Sequence, residues 1–458
     1  MFRNISKYFE RLVKSNFHWR EIMTGYKLLV TAIALSLTPA FAANSADSTS
    51  SASQPSASAS SASATPSVQY RSGPTKRGRG VAFASTSSTE TSNTSHASSA
   101  IAQIPMDATS SSITLFGELD GGVTIEKLRG KDTTVKMSSG NWYWTSWGIK
   151  GVEDLGGGNA AIFTLQQAFK LDNGEGVGGG AFNNQAFLGL QGGWGRLTFG
   201  HQAGLSSGDG DYSMLGGSAL GTGFTAIGNL AGVFLTTGWL DNSIAYRTQK
   251  YNGLQFTAMY SNGIDGDDKE WSKNSHYYGL GLTYDVGAFN SNFMFELEDH
   301  KGTKLADGSP AKLDKTQYYT AGASYDFGAF TLYGAYQFVN HGTRMPNYNM
   351  IHLVDASSTA TKPATEIPTK GVRQNAASVS VATPVAGGTL MLQLNGVKGK
   401  ILNDSDKYQA WSIGSGYTYP LSKRTLLYGS VNYGQGGKAL KHSNLDGFTT
   451  VFGMATTF

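Results

Sequence analysis

From Ser112 to the last residue, Phe458, the sequence is written in period two. GAFTLYGAYQFVN (328–340) sets Phe330, Leu332, Tyr336 and Phe338 on one face and Thr331, Tyr333, Ala335 and Gln337 on the other. GLQFTAMYSN (253–262) repeats the pattern. The template recurs near 113–123, 142–152, 159–170, 182–191, 194–202, 242–250, 275–286, 288–299, 316–327, 373–384, 388–398, 407–420, 422–434 and 446–458, which makes about sixteen strands. A soluble β-sandwich also alternates, so three further features decide. The segments are long enough to cross a bilayer when tilted, which takes about 9–11 residues. Aromatics cluster at segment ends, as in NWYWTSW (141–147), YQAWS (408–412) and HYYG (276–279), and a girdle at the lipid boundary predicts this. Connections alternate in length: DVGAF (285–289), DFGAF (326–330) and TPVAGGT (383–389) are tight, whereas 299–315 and 342–371 are long. These features predict an all-β protein, a transmembrane antiparallel β-barrel.

Closure follows from the physics of lipid. Every backbone N–H and C=O in hydrocarbon needs a partner, so a sheet spans only without an open edge. The chain ends TTVFGMATTF (449–458), a strand to its final residue. Phe452, Met454 and Phe458 share one face; Val451, Gly453, Ala455 and Thr457 share the milder one. This segment is expected to pair with the first strand.

Composition agrees. Charged residues are only 15 % and glycine reaches 59 residues. Outside the extreme N-terminus no run is long and apolar enough for a transmembrane helix. Cysteine is absent, which excludes disulfides and thiolate metal sites. Residues 1–42 read as a secretory signal, with a long basic region, the apolar LLVTAIALSLTPAFA and the small-x-small pattern at Ala40-Phe41-Ala42. They carry six Lys/Arg and two Asp/Glu, and removing them leaves 30 of each sign. The formal net charge of +4 therefore belongs to the signal, and a nucleic-acid partner loses its support. Residues 43–111 are a Ser/Ala/Thr-rich linker, too poor in apolar surface to offset the entropy of ordering. The basic run RSGPTKRGRG within it reads as a solvated charge run or as a contact for an anionic surface.

SSITLFGELDGGV (111–123), SWGIKGVEDLGGGNAAIFTLQQAFK (146–170), NNQAFLGLQGGWGRLTFGHQ (183–202), DNSIAYRT (241–248) and YTYPLSKRTLLYGSVNY (417–433), ending on Phe458, resemble in order the Gram-negative general porins of the betaproteobacterial type. The resemblance covers about 112–458. It implies a homotrimer of 16-stranded barrels in the outer membrane, each with a water-filled pore. It implies that the terminal Phe458 strand is the signal read by the barrel-assembly machinery. It also implies a third loop folded into the lumen, here the glycine-rich stretch between Gln202 and Asn242, with Asp209 and Asp211 as its charged members. The charges expected to share the constriction are Lys150, Arg247 and His201, with Glu118 and Asp120 on the lumen face of the first strand. Relatives usually carry arginines at positions that are neutral here, at Ser146, Asn183-Asn184-Gln185 and Ala245. Weak ion selectivity without strong anion preference is the expectation.

Other signals are weaker. Gly204–Gly208 matches GxSxG, but a nucleophile elbow needs a strand-to-helix turn on an α/β sheet. A barrel lipase would need Ser, His and an acid clustered on the lipid side. The carboxylates of 265–270 depart from the calcium-loop pattern. Glycine triplets lack the Lys-Ser/Thr of a phosphate loop, and the eight histidines show no metal-ligand spacing. No enzyme activity and no cofactor are expected. The function read from the sequence is passive diffusion of small hydrophilic solutes and ions, in contact with outer-membrane lipid and lipopolysaccharide. The alternatives are a substrate-specific channel of the same fold and a plugged structural or adhesive barrel. The 43–111 linker is expected in the periplasm, where peptidoglycan is a candidate partner.

Overall fold

The computed structural model describes residues 104–458 apart from 178–179, 208–209, 215–232, 265–269, 304–311, 347–369, 403–405, 442 and 444. The expected signal, most of the linker, Asp209 and most of the long 342–371 loop lie outside the described residues. Seventeen strand segments follow in order: β1 (Ser112–Leu128), β2 (Thr134–Ser139), β3 (Ser146–Gly156), β4 (Asn159–Ala168), β5 (Gln185–Gly192), β6 (Gly195–Ala203), β7 (Trp239–Arg247), β8 (Leu254–Asn262) and β9 (His276–Val286) come first. Then come β10 (Phe289–Asp299), β11 (Thr316–Asp326), β12 (Thr331–Gly342), β13 (Val372–Val385), β14 (Gly388–Ile401), β15 (Lys407–Pro420), β16 (Thr425–Lys438) and β17 (Gly447–Thr457). Every neighbouring pair from β3 to β17 is antiparallel, and β17 pairs with β1 from Glu118–Thr457 to Leu128–Gly447. The sheet closes.

The seventeen segments make sixteen staves. The lower half of β1, Ser112–Glu118, pairs with β3, and its upper half, Gly121–Glu126, pairs with β2. β2 and β3 therefore form one stave, broken by residues 140–145. Asp120 holds the break in place. Its carboxylate accepts the backbone N–H of Trp142, the N–H of Tyr143 at 2.7 Å and the Tyr428 hydroxyl at 2.5 Å. Its backbone N–H is bonded to Thr145 Oγ1 at 3.1 Å, and its carbonyl accepts the N–H of Gly140 at 3.1 Å.

Strands of eleven residues such as β9–β11 rise about 36 Å, enough to cross a ~25 Å apolar band when tilted by about 45°. Their outward positions form that band. Leu188, Phe199, Ile244, Leu280, Phe293, Leu392, Ile413 and Met454 are all exposed. Inward positions are mostly small or polar and buried, such as Thr164, Gln166, Thr198, Gln337, Gln393 and Ser412.

The aromatic clusters divide between the two faces. In HYYG, Tyr278 is exposed and Tyr277 is buried inside; in YQAWS, Trp411 faces out and Tyr408 is buried. NWYWTSW departs furthest from a girdle, because Trp142 stacks on the inward Tyr428 with ring centroids 5.9 Å apart and only Trp147 reaches the exposed face. Period two explains the split: adjacent residues on one strand cannot both face lipid.

All seven connections at one end of the barrel are short, as at 157–158, 193–194, 287–288 and 386–387, and β1 begins at that same end. The other end carries the longer connections, of which 204–238 is the third.

Asp120→Ala removes the acceptor for two backbone N–H groups and a buried hydroxyl. It should cost about 2–3 kcal/mol of barrel stability, read as a lower denaturant midpoint for the detergent-folded protein. An unchanged midpoint would show that the break in the second stave is held by other contacts.

Candidate pore constriction

The third long connection turns inward and lies against the inner wall. Its described residues Leu205, Tyr212, Met214, Val233, Phe234 and Leu235 are all buried. Both arms of the connection meet on one carboxylate. Glu296 Oε1 of β10 accepts the N–H of Ser206 at 3.1 Å from the first arm and the Thr237 hydroxyl at 2.7 Å from the second, and the Tyr277 hydroxyl at 2.8 Å completes the set. Further along, Gln337 of β12 accepts the N–H of Leu235 at 2.8 Å and donates to its carbonyl at 2.7 Å. Gln374 of β13 donates to the Val233 carbonyl at 3.2 Å. Amide side chains thus satisfy loop backbone that would otherwise be buried without partners.

The charges gather on the other side, around Asp211. Arg196 of β6 and Arg247 of β7 lie directly opposite each other in register. Like charges so placed repel, and the connection brings an acid between them. Arg196 Nη1 donates to Asp211 Oδ2 at 2.6 Å, and Arg247 Nη1 donates to the Asp211 carbonyl at 2.9 Å. The Arg247 guanidinium also sits 4.7 Å from the Tyr212 ring centroid, a cation–π contact. Burial pushes the Tyr212 hydroxyl up to about 12, so it stays neutral at ordinary pH and accepts the Thr198 hydroxyl at 2.9 Å.

The neutral wall residues join this cluster. Ser146 Oγ accepts Gln166 Nε2 at 2.8 Å, Gln166 Oε1 accepts Gln185 Nε2 at 2.7 Å, and Gln185 Oε1 accepts the Asp211 N–H at 2.8 Å. Lys150 stands on the same inner wall, 5.5 Å from the Phe116 ring centroid and within the attraction of Asp211.

The structure therefore brings Asp211, Lys150 and Arg247 together. His201 is elsewhere: its Nδ1 is 2.5 Å from Asp241 Oδ1, its Nε2 is 3.1 Å from the Asn183 carbonyl, and its ring stacks on Trp239. A register shift between Gly200 and Gln202 accompanies that placement. Glu118 and Asp120 are buried on the inner face of β1, as their parity with Thr114 requires, with Asp120 engaged in fastening residues 140–145. Ser206, the serine of the GxSxG pattern, bonds Thr237 at 3.1 Å and has no histidine partner among the described residues. Two residues that sequence reasoning passed over complete the site. Arg196 reads as a lone cation in GGWGRLTFG; its parity with Thr198 places it inside, and only the register with Arg247 shows what it faces. Glu296 reads as one acid in a strand, and nothing local marks it as the clasp of a distant connection.

A closed sixteen-stave barrel with an apolar outer band, a polar interior and a connection folded across its lumen is a membrane channel of the porin class. The chain belongs to the Gram-negative porin family, whose sequence profile matches residues 81–439. An outer membrane porin protein of Bordetella pertussis is 28% identical over 359 residues, covering 70% of this chain and 88% of that protein. The major outer membrane protein P.IB of Neisseria lactamica is 28% identical over 219 residues, covering 46% of this chain and 61% of that protein. Among solved structures, the anion-selective porin from Comamonas acidovorans shares the fold with a TM-score of 0.57 at 23% identity, covering 76% of this chain and 100% of that one. The protein is an outer-membrane channel for passive diffusion.

Arg196→Ala leaves the Asp211 carboxylate buried without its ion-pair partner, a change worth about 3–5 kcal/mol. The double variant with Asp211→Ala should cost clearly less than the two single losses added together. Denaturant midpoints of the four proteins measure this, and strict additivity would show that the two side chains act independently.

Proposed function

We propose that the lumen passes small hydrophilic solutes and ions with weak charge selection, and that Asp211, Lys150 and Arg247 supply the bias at the waist. The observation that carries this reading is that Asp211 and the two arginines beside it are already engaged with one another. Asp211 is paired with Arg196 and its carbonyl is held by Arg247. Facing this cluster, the buried polar side chains of β13 to β16, tyrosines apart, are Gln374, Ser378, Ser380, Gln393, Asn395, Ser412 and Ser430, all neutral. A permeating ion meets compensated charges on one side and hydroxyls and amides on the other. Size exclusion by the third connection then governs passage more than field strength does. One fold relative is described as anion-selective; the charge balance here supports a weaker preference.

A homotrimer fits this reading. A fold relative of Vibrio cholerae is described in a trimer form, with a TM-score of 0.52, and the continuous apolar outer band offers the surface such an assembly uses. In that arrangement the short connections and the N-terminal linker face the periplasm, the longer connections face outward, and Asp209 belongs to the inward connection with Asp211.

Reversal potentials in a potassium chloride gradient test the proposal. The permeability ratio of the two ions should lie within about threefold of unity, and Lys150→Glu should shift it toward potassium. Strong anion selectivity of the native protein would overturn the reading, and an unshifted potential in the variant would remove Lys150 from the waist.

A further inference from the structure

The last residues before the barrel do something the linker composition does not foretell. The linker was expected to run to residue 111, yet the chain is packed from Ile104 onward. Ile104 is buried against Val152, Ala160, Ile162 and Phe187, with Ala108 alongside. Those wall residues share inward parity: Val152 with Lys150 on β3, Ala160 and Ile162 with Thr164 on β4, and Phe187 opposite Thr164 on β5. The segment therefore lies inside the lumen, at the end of the short connections. It turns there, with the N–H of Ala108 donating to the Pro105 carbonyl at 3.1 Å.

The wall grips the backbone of this turn. Gln191 Nε2 donates to the carbonyls of Pro105 at 3.0 Å and Ala108 at 2.6 Å. Gln249 Nε2 donates to the Met106 carbonyl at 3.4 Å. Arg196 donates through Nη2 to the Ile104 carbonyl. All four contacts fall on carbonyls and one apolar recess takes one aliphatic side chain, which is how a protein reads a short peptide: main-chain bonds hold it and a pocket selects it.

Arg196 also connects this turn to the waist. Its Nε and Nη2 bond Gln191 Oε1 at 3.0 and 2.8 Å, while Nη1 bonds Asp211 at 2.6 Å. One planar guanidinium, with its donors in a fixed fork, thus holds the N-terminal turn and the third connection together.

We propose that the inner wall formed by Val152, Ala160, Ile162, Phe187, Gln191 and Arg196 is a peptide-binding site for an aliphatic residue followed by a β-turn, that the chain's own Ile104–Ala108 occupies it, and that its occupancy narrows the pore mouth at the short-connection end. This goes beyond the channel reading, because occupancy of the turn site adds a second determinant of conductance beside the third connection, to which Arg196 joins it. The turn is a cis ligand, and a peptide of the same pattern competes for its place.

The chain has no native cysteine, so single cysteines in the full mature protein report directly. In the folded protein Ile104→Cys should react with a bulky maleimide far more slowly than Asp107→Cys, which is exposed. Ile104→Asp, with folding checked by heat-modifiable gel mobility, should raise single-channel conductance about 1.5-fold or more. A synthetic peptide of residues 103–110 should return that variant toward the native level. Equal labelling at the two positions, native conductance in Ile104→Asp, or a variant indifferent to the peptide would each overturn the proposal. If the native protein and the variant were both silent, the channel reading would fail, and the labelling ratio alone would still decide whether the site is occupied.

Discussion

The backbone's demand for hydrogen bonds in hydrocarbon governs this molecule. A lone sheet edge in lipid would strand a row of N–H and C=O groups, so the first and last strands must meet along their length. They do so to the final residue. The N–H of Gly117 donates to the Phe458 carbonyl at 3.1 Å and the N–H of Phe458 donates back to Gly117 at 2.9 Å. The Phe458 ring lies where a Cβ on residue 117 would stand, so the seam closes on an aromatic only because a glycine faces it. A terminal residue held in this way cannot fray, and with the seam shut the sheet has two faces and no edge.

Once the faces are separated, they obey different rules. The outer one needs only apolar bulk. The inner one accumulates polar groups that must be matched, because the connection folded across the lumen buries them. The two arginines at facing positions on β6 and β7 would repel without Asp211, and the Asp211 carboxylate would lose its ion-pair partner without Arg196. Glu296 plays the corresponding part on the far wall, where it joins the two arms of the same connection. The described arms of the connection are thus held at both sides of the lumen by buried, hydrogen-bonded carboxylates.

The barrel was legible in the sequence because period two survives translation into structure. β8 and β12 fall where the alternation of 253–262 and 328–340 put them, and the tight turns fall at the glycines that mark them. β2 was not legible. TVKMSS is short and polar, and the aromatics after it read as a lipid girdle when three of them belong to an inserted turn fastened by Asp120. The alternation rule cannot foresee a stave interrupted by residues that fold inward. At the waist, Asp211, Lys150 and Arg247 could be named from loop composition, strand parity and family resemblance. Arg196 could not, because its meaning lies in a cross-strand register and in a partner from a distant connection. The Ile104 turn was hidden by its surroundings: a single aliphatic-proline step at the end of a serine-rich tract carries no periodicity to detect.

The distribution of these elements around the ring has a consequence for transport. The N-terminal turn lies on β3 to β6 at one end, the Asp211 cluster on β6 and β7 at the waist, and the connection then crosses to β12 and β13. The buried charged side chains Glu118, Asp120, Arg196, Glu296 and Glu298 stand on β1 to β10, and Lys150 and Arg247 share that part of the inner wall. Among the described residues, the inner face of β14 to β16 presents Gln393, Asn395, Ser412 and Ser430, while Val397, Tyr408 and Ala410 join the buried cluster that holds Val233 and Phe234 of the connection. Charged groups on the described inner wall hold the connection in place, whereas the hydroxyls and amides of β13 to β16 can replace part of a solute's hydration shell without asking for a charge of either sign, which supports the weak selection proposed above.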